Sequence, residues 1–370
     1  MAPRTSALTY AAAQTARVAF YGAHYFVARL VARDAFTNMP APDHPIPSLP
    51  KMLAAMRKLF ARDWQNVKEG LYPAPVDGLA EMRRAMTSLK FLADIPRVAK
   101  RQKRHEHSEV KGADESLPRY FRQNFHFQTG GYLSDESATL YDFQVEALFA
   151  GTADAMRRGA FVPIARALKN RQAGRLTLLD VGCGTGTFLQ FAKTAQPKLK
   201  MIALDLSQPY LERAKKNLRG FSNVEFVQAP AEDMPLKDAS VDFAVSIYLF
   251  HELPPKVRAA VAKEIGRVLK PGGMFVLADS IQYGDEEGFD GLIDAFPHLL
   301  HEPYFSTYAK ADFGTLFAAA GLERIDSHNA YLTKVTMFRK VAAKKHPSTP
   351  KRAAKPKARL RLRKAKHPAT

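Results

Sequence analysis

Two aspartates and three glycines carry the clearest chemistry in this chain. The run Leu178-Leu179-Asp180-Val181-Gly182-Cys183-Gly184-Thr185-Gly186-Thr187 starts as an apolar strand and leads, through Phe188-Leu189, into a helix. Glycines there let a backbone approach a ligand closely and expose N–H groups at the helix start. Asp180 adds a carboxylate able to bond an ammonium group. A second apolar run, Met201-Ile202-Ala203-Leu204, ends on Asp205, in place to accept from both hydroxyls of a ribose. A dinucleotide fingerprint would be Gly-x-Gly-x-x-Gly; here the third glycine comes one position early, at Gly186, and Thr187 stands in its place. A purely structural turn is the plain alternative.

Two further groups of residues have chemical potential. His251, in Ser246-Ile247-Tyr248-Leu249-Phe250-His251-Glu252-Leu253, is a candidate base for an acidic hydroxyl or carbon, and equally a capping residue. Asp279, Gln282 and Tyr283 are followed by His298, His301, Glu302 and Tyr304. His-x-x-His-Glu is not the zinc-protease order, so these residues read as substrate contacts and no metal is expected. Upstream, Tyr120, Phe121, Phe125, Phe127 and Tyr132 interleave with Arg119, Arg122, Asn124, His126 and Gln128, and Gly130-Gly131 offers a hinge. That segment is either packed core or a lid and substrate wall.

The elements that must hold these residues alternate strand and helix from Arg175 onward, which predicts a mostly parallel sheet. Helices are expected over Thr187–Thr194, Gln208–Leu218, Pro255–Leu269 and Lys310–Ala320, with a fifth strand over Met274–Asp279. Leu322–Ser327 and Tyr331–Arg339 read as two strands joined by a short Asn-containing turn. Before the sheet, Pro40, Pro42, Pro45, Pro47 and Pro50 form a linker. Helices are expected over Lys51–Glu69 and Gly78–Leu92. The basic run Arg97–Lys111 reads as a solvated helix end or linker, with a nucleic-acid patch as the alternative. Tyr141 to Ala167 reads as mostly helix, interrupted at Pro163.

Three more stretches agree with the glycine loop: Ala231-Glu232-Asp233-Met234-Pro235-Leu236, Ser240-Val241-Asp242-Phe243-Ala244-Val245-Ser246 and Arg267-Val268-Leu269-Lys270-Pro271-Gly272-Gly273. With Asp180–Gly186 and Leu204-Asp205-Leu206-Ser207 they stand in the order and spacing of a known family. From about Arg175 to Lys340 the chain resembles class I S-adenosylmethionine-dependent methyltransferases, closest to the small-molecule branch that includes quinone-biosynthesis enzymes. The resemblance implies an α/β, Rossmann-like, mostly parallel seven-stranded sheet with a closing antiparallel hairpin, here joined to a helical N-terminal region. It implies S-adenosyl-L-methionine as cofactor. Asp180 and the loop Gly182, Cys183, Gly184 and Gly186 would hold the methionine end, Cys183 as a small residue fitting a crowded turn. Asp205 would take the ribose, with Leu206 against the adenine. Pro230 stands where the family often has an acid, which shifts adenine contact to the Ala231 backbone and Glu232. Ser246 and Ile247 would line the cofactor pocket. The acceptor would lie among Tyr120, Phe125, Tyr132, Tyr248, His301 and Tyr304, with His251 as catalytic base. No Asn-Pro-Pro-Tyr follows the fourth strand, which argues against amino-group methylases of DNA and protein glutamine.

The expected function is methyl transfer to a small aromatic or lipophilic acceptor. A nucleic-acid-directed methyltransferase and a non-catalytic cofactor-binding module are the other classes. The expected organisation is a helical region with a Pro-rich linker over 1–115, a lid and helical lead-in over 116–170, the cofactor domain over 171–341 and a disordered basic tail over 342–370. The net charge is +19, and eleven Lys or Arg lie between Lys344 and Thr370 with no acid, leaving about +8 elsewhere. Such a tail cannot fold alone and suits weak contact with a polyanion or membrane surface. The single cysteine excludes an internal disulfide. Residues 1–33 contain four arginines and no acid, compatible with an organelle transit peptide, while the apolar run Val18–Ala32 is too short to span a bilayer. A cytoplasmic location, with or without peripheral membrane contact, is expected. The oligomeric state is not legible.

Overall fold

A computed structural model of the chain describes residues 5–33, 40–75, 78–104, 106, 110 and 115–341. The basic tail over 342–370 lies outside them, as does most of 105–114.

Seven strands form one sheet in the order β3-β2-β1-β4-β5-β7-β6. They are β1 Thr177–Val181, β2 Lys200–Asp205, β3 Val224–Gln228, β4 Val241–Ile247, β5 Leu269–Ser280, β6 Leu322–Ala330 and β7 Thr333–Lys340. β1 pairs in parallel with β2 and β4, β2 with β3, and β4 with β5; only β7 runs antiparallel to β5 and β6. The order reverses between β1 and β4, and ligands sit outside the carboxyl ends of strands at such a switch point. β1 and β4 are nearly continuous apolar runs because both their faces are buried. β6, at one edge, exposes Glu323, Arg324 and Asp326, which discourages further strand pairing. This is the α/β, Rossmann-like sheet with a closing hairpin. The hairpin turns at Tyr331-Leu332, with Tyr331 at φ 60, rather than at an asparagine: Asn329 is within β6 and donates to the Asp285 carbonyl.

The N-terminal region contributes α1 Ala7–Val31, α2 Leu49–Lys68 and α3 Gly78–Arg104. Ser6 caps α1 by accepting from the Thr9 amide. α3 runs well past Leu92 and carries Pro96 inside it, so the basic run is helical as far as Arg104. Phe91 and Ile95 pack with Tyr21 of α1 and with Leu140 and Phe143 of α4, Asp135–Leu148. α5, Ala153–Leu168, follows. The expected break at Pro163 is misplaced. Pro163 sits inside α5, and the chain turns at Gly151 instead. Gly151 has φ +80, and a Cβ there would lie 2.9 Å from the Arg17 carbonyl, so only glycine permits the turn.

A buried polar knot ties these helices together. Asp63 on α2 receives Arg158 of α5 through two bonds of 2.9 and 2.6 Å, and the phenols of Tyr10 and Tyr72 donate to it at 2.5 and 2.7 Å. The remaining helices cover the sheet: α6 Thr187–Ala195, α7 Gln208–Leu218, α8 Pro255–Val268, α9 Asp290–Leu299, α10 Phe305–Tyr308 and α11 Phe313–Ala318. Among the described residues no helix is long and apolar enough to cross a membrane.

Candidate active site

After β1 the amides of Gly182 and Cys183 both donate to the Leu204 carbonyl at 2.9 Å, closing the loop against β2. Gly182 lies at φ +75, and a Cβ there would approach Leu249 at 3.1 Å. Gly186, at φ +76, caps α6, where a Cβ would press on Ala214 and Leu218 at 3.0 Å. Glycine at both places lets the loop sit under α7 and beside the β4 end.

Asp205 is tied into the loop. Its carboxylate accepts from the Gly184 amide and from the Ser207 amide, each at 2.8 Å. Burial raises its pKa, against the lowering effect of those bonds. Asp180 is 2% exposed, and burial followed by the nearby Asp205 charge pushes its carboxyl up to about 8. A buried acid lacking its own counter-charge suits a ligand that brings an ammonium group.

A cavity at this switch point is lined by Gly182, Gly184, Asp205, Leu206, Ala231 and Ile247, and closed from the other side by Tyr120, Phe125, Tyr132 and Tyr141. Thus Tyr120, Phe125 and Tyr132 stand over the expected cofactor place, not in a separate acceptor chamber. Asp180, Cys183 and Gly186 belong to the same strand and loop but are not among the residues lining this cavity. Ser246 is fully buried and turns its hydroxyl to the Val181 carbonyl at 3.1 Å. Glu232 accepts from the Tyr120 phenol at 2.7 and 2.9 Å.

A second cavity of about 230 Å³ adjoins the first. Its walls are mostly apolar, with Ile95, Val145, Leu148, Leu292, Phe296 and Phe305 among them. Tyr141, Tyr248 and Glu252 line both spaces and mark their junction. His251 lines the second. His301 and Tyr304 line neither; they meet Gln123 at 3.2 and 3.1 Å and so brace the lid.

His251 is 6% exposed. Its Nδ1 is 2.6 Å from Asp279, which also receives the Phe250 amide at 2.8 Å and so fixes the turn that follows β4. Burial by itself lowers the His251 pKa, but the Asp279 charge and hydrogen bond outweigh it and raise it to about 10. The pairing with Asp279 thus favours the protonated ring and fixes its orientation. Its Nε2 lies 3.8 Å from Glu252, whose other neighbour is the Tyr132 phenol at 2.5 Å. Burial pushes the Glu252 carboxyl up. His126 and Glu302 complete the cluster: one ligand atom from each of His126, His251, Glu252 and Glu302 falls within 4.8 Å of all the others. The pattern of residues did not single out Glu252 or His126, although the adjacency of Glu252 to His251 and the aromatic setting of His126 were visible.

The fold and the glycine–aspartate cradle define the class of protein: this is a class I methyltransferase domain. Residues 178–273 match the family model described as a methyltransferase domain. A carboxy-S-adenosyl-L-methionine synthase from Aeromonas hydrophila subsp. hydrophila is 34% identical over 122 residues, covering 32% of this chain and 48% of that protein. A demethylmenaquinone methyltransferase from Staphylococcus carnosus is 35% identical over 105 residues, covering 28% and 43%. The chain spans about half the length of these curated relatives, or less. A solved S-adenosylmethionine-dependent methyltransferase from Aquifex aeolicus aligns over 48% of this chain and 88% of its own, at 23% identity and a TM-score of 0.36. The domain is of the S-adenosylmethionine-dependent kind, resembling quinone methyltransferases, and S-adenosyl-L-methionine is its cofactor. The site fits that molecule: Asp205 lines the cavity and would accept at the ribose, the buried Asp180 carboxylate at the end of β1 would suit its ammonium, and the space beside Gly184 is open for close approach of the loop.

Proposed function

We propose that the protein transfers a methyl group from S-adenosyl-L-methionine to a small aromatic or lipophilic acceptor. The observation that carries this reading is the apolar cavity joined to the cofactor cavity at Tyr141, Tyr248 and Glu252. Bound cofactor supplies an electrophilic methyl carbon on a sulfonium. The protein's part is to bind, orient and exclude water. The Gly182–Gly186 loop, Asp180 and Asp205 hold the donor. Tyr120, Phe125 and Tyr132 cover it. The apolar walls select an acceptor with little charge, and the acceptor's polar atom meets His251 and Glu252, the polar end of the chamber.

The division into a helical region over 1–115, a lead-in over 116–170, a cofactor domain over 171–341 and a tail from 342 forms part of this proposal. The eleven basic residues of the tail would serve weak attachment to a polyanion or membrane surface. The test is incubation of the full chain with methyl-labelled cofactor and separate pools of phenols and quinols, lipid extract and RNA. Label in the phenol, quinol or lipid pool is expected. Label confined to RNA, or no transfer to any pool, overturns the reading.

A further inference from the structure

We propose that His126, His251, Glu252 and Glu302 form a binding site for one divalent transition-metal ion at the polar end of the acceptor cavity. The lid, the turn after β4 and the segment after α9 bring the four side chains together. Each offers one nitrogen or oxygen, and these atoms lie within 4.8 Å of one another. Ligand atoms around one ion stand roughly 3.4 Å apart in a tetrahedron and about 4.2 Å apart across an octahedron, given bonds near 2.1 Å. The 3.8 Å between the His251 Nε2 and Glu252 already suits two ligands of one ion, and the His126 Nε2 and Glu302, which stand closer, would part to admit it.

Three observations point to an ion rather than to a self-contained network. First, the Glu302 side chain is fully buried, and His126 meets only one of its carboxylate oxygens, leaving the other without a hydrogen bond. Its close neighbour is the His126 Nε2. One imidazole covers half of that carboxylate, and a buried oxygen left without a partner is costly unless a further donor or cation meets it. Second, His251 has its Nδ1 engaged by Asp279 at 2.6 Å, which leaves Nε2 for the cluster. A carboxylate holding the far nitrogen of an imidazole is the outer-shell arrangement that orients metal-bound histidines. Third, His126 is held at φ 55 and the following Phe127 at φ 53. Two consecutive left-handed residues other than glycine are strained, and such strain collects where a side chain must be aimed.

The donor set selects the ion. Two imidazoles and two carboxylates, with no thiolate, suit Fe²⁺, Mn²⁺ or Zn²⁺ over Mg²⁺ or Ca²⁺. A dication balances Glu252 and Glu302 with both rings neutral. His126, His251 and Glu252 also line the acceptor cavity, and Glu252 borders the cofactor cavity as well. The ion's remaining positions would face the acceptor, so the acceptor class narrows to molecules presenting an oxygen donor, such as a phenolate or an enolate. This narrowing rests on the proposed methyl transfer; the metal site does not.

The test uses full-length, tag-free protein. Metal content is measured by plasma mass spectrometry as purified, and again after chelator treatment and separate titration with Fe²⁺ under anaerobic conditions, Mn²⁺ and Zn²⁺. One equivalent per chain is expected for at least one of the three. Glu302→Gln and His126→Ala should each lower retained metal by about tenfold or more, and Asp279→Asn by about 10- to 100-fold, the usual effect of losing an outer-shell partner. Circular dichroism and S-adenosylhomocysteine binding report whether each variant is folded. Wild-type protein that takes up less than about a tenth of an equivalent of every ion overturns the site, whatever the variants do. So does undiminished metal in folded Glu302→Gln. Metal binding in a protein that transfers no methyl group would sink the proposed function alone.

Discussion

The Tyr120 phenol donates to both carboxylate oxygens of Glu232, at 2.7 and 2.9 Å. This one contact latches the aromatic segment onto the loop after β3, across the mouth of the cofactor cavity. The segment is pinned at its other end, where the Ser207 hydroxyl donates to the Tyr132 carbonyl at 2.5 Å and the Tyr132 phenol donates to Glu252. A donor bound beneath this segment would be shielded from water at its sulfonium.

Tyr120→Phe should loosen the latch while leaving the ring in place. A hydrogen bond to a charged group contributes about 1.5–3 kcal/mol, so release of S-adenosylhomocysteine should speed up by roughly tenfold or more. Stopped-flow displacement measures it. An unchanged release rate would mean that the lid opens without breaking this bond.

Asp205→Ala should weaken cofactor binding by roughly a hundredfold, because a charged acceptor for the ribose disappears. The substitution also frees the Gly184 and Ser207 amides that Asp205 now receives. Asp205→Asn keeps part of that local bonding and should lose less. Calorimetry with the two variants separates the contributions, and equal losses would place the whole effect in the missing charge.

Cofactor binding should release a proton between pH 6 and 7. Burial and Asp205 hold the Asp180 carboxyl up to about 8 in the free protein, from an ordinary 3.8. It must ionise to pair with an ammonium, so affinity should rise with pH towards 8. The cofactor's own amino group, with an ordinary value of about 8, ends the rise. The same shift has a stability consequence. Between the unfolded and folded values the native state holds a proton that the unfolded chain does not, so this group's contribution falls as pH rises through that window. Calorimetry in buffers of different ionisation enthalpy reads the proton. Asp180→Asn should abolish its release; proton uptake by the wild type would contradict the assignment.

His251→Ala should lower turnover by about a hundredfold or more with cofactor affinity nearly unchanged, since the ring lines the acceptor cavity and not the donor's. A parallel loss of cofactor binding would show instead that His251 mainly supports the turn after β4.

Asp63→Ala should destabilise the protein by about 3–5 kcal/mol, because Arg158 is left charged and buried without its partner. Denaturant unfolding measures it. A loss below about 1 kcal/mol would show that the knot joining α2 to α5 is open to water.

The strand ends and glycine loop that carry Asp180 and Asp205 were legible in the amino-acid sequence because they are local. Asp180, the three glycines and Asp205 sit on two neighbouring strand ends; residue type and short spacing mark them as a ligand loop, and the resemblance to a known family implied which ligand. The same holds for helix Gln208–Leu218, whose start at Ser207 is written by a cap. Where a long-range contact decides, local signals fell short. The break between α4 and α5 depends on the Arg17 carbonyl packed against Gly151, so Pro163 proved the wrong marker. Which aromatic residues line the cavity at the switch point depends on how the Tyr120–Tyr132 segment folds back over the sheet. The polar cluster is the extreme case. His126, His251, Glu252 and Glu302 come from three separated segments, and no spacing along the chain encodes their meeting. Only the packed sheet and lid bring them within reach of one another, because side-chain chemistry is written in the sequence while mutual distance is a property of the fold.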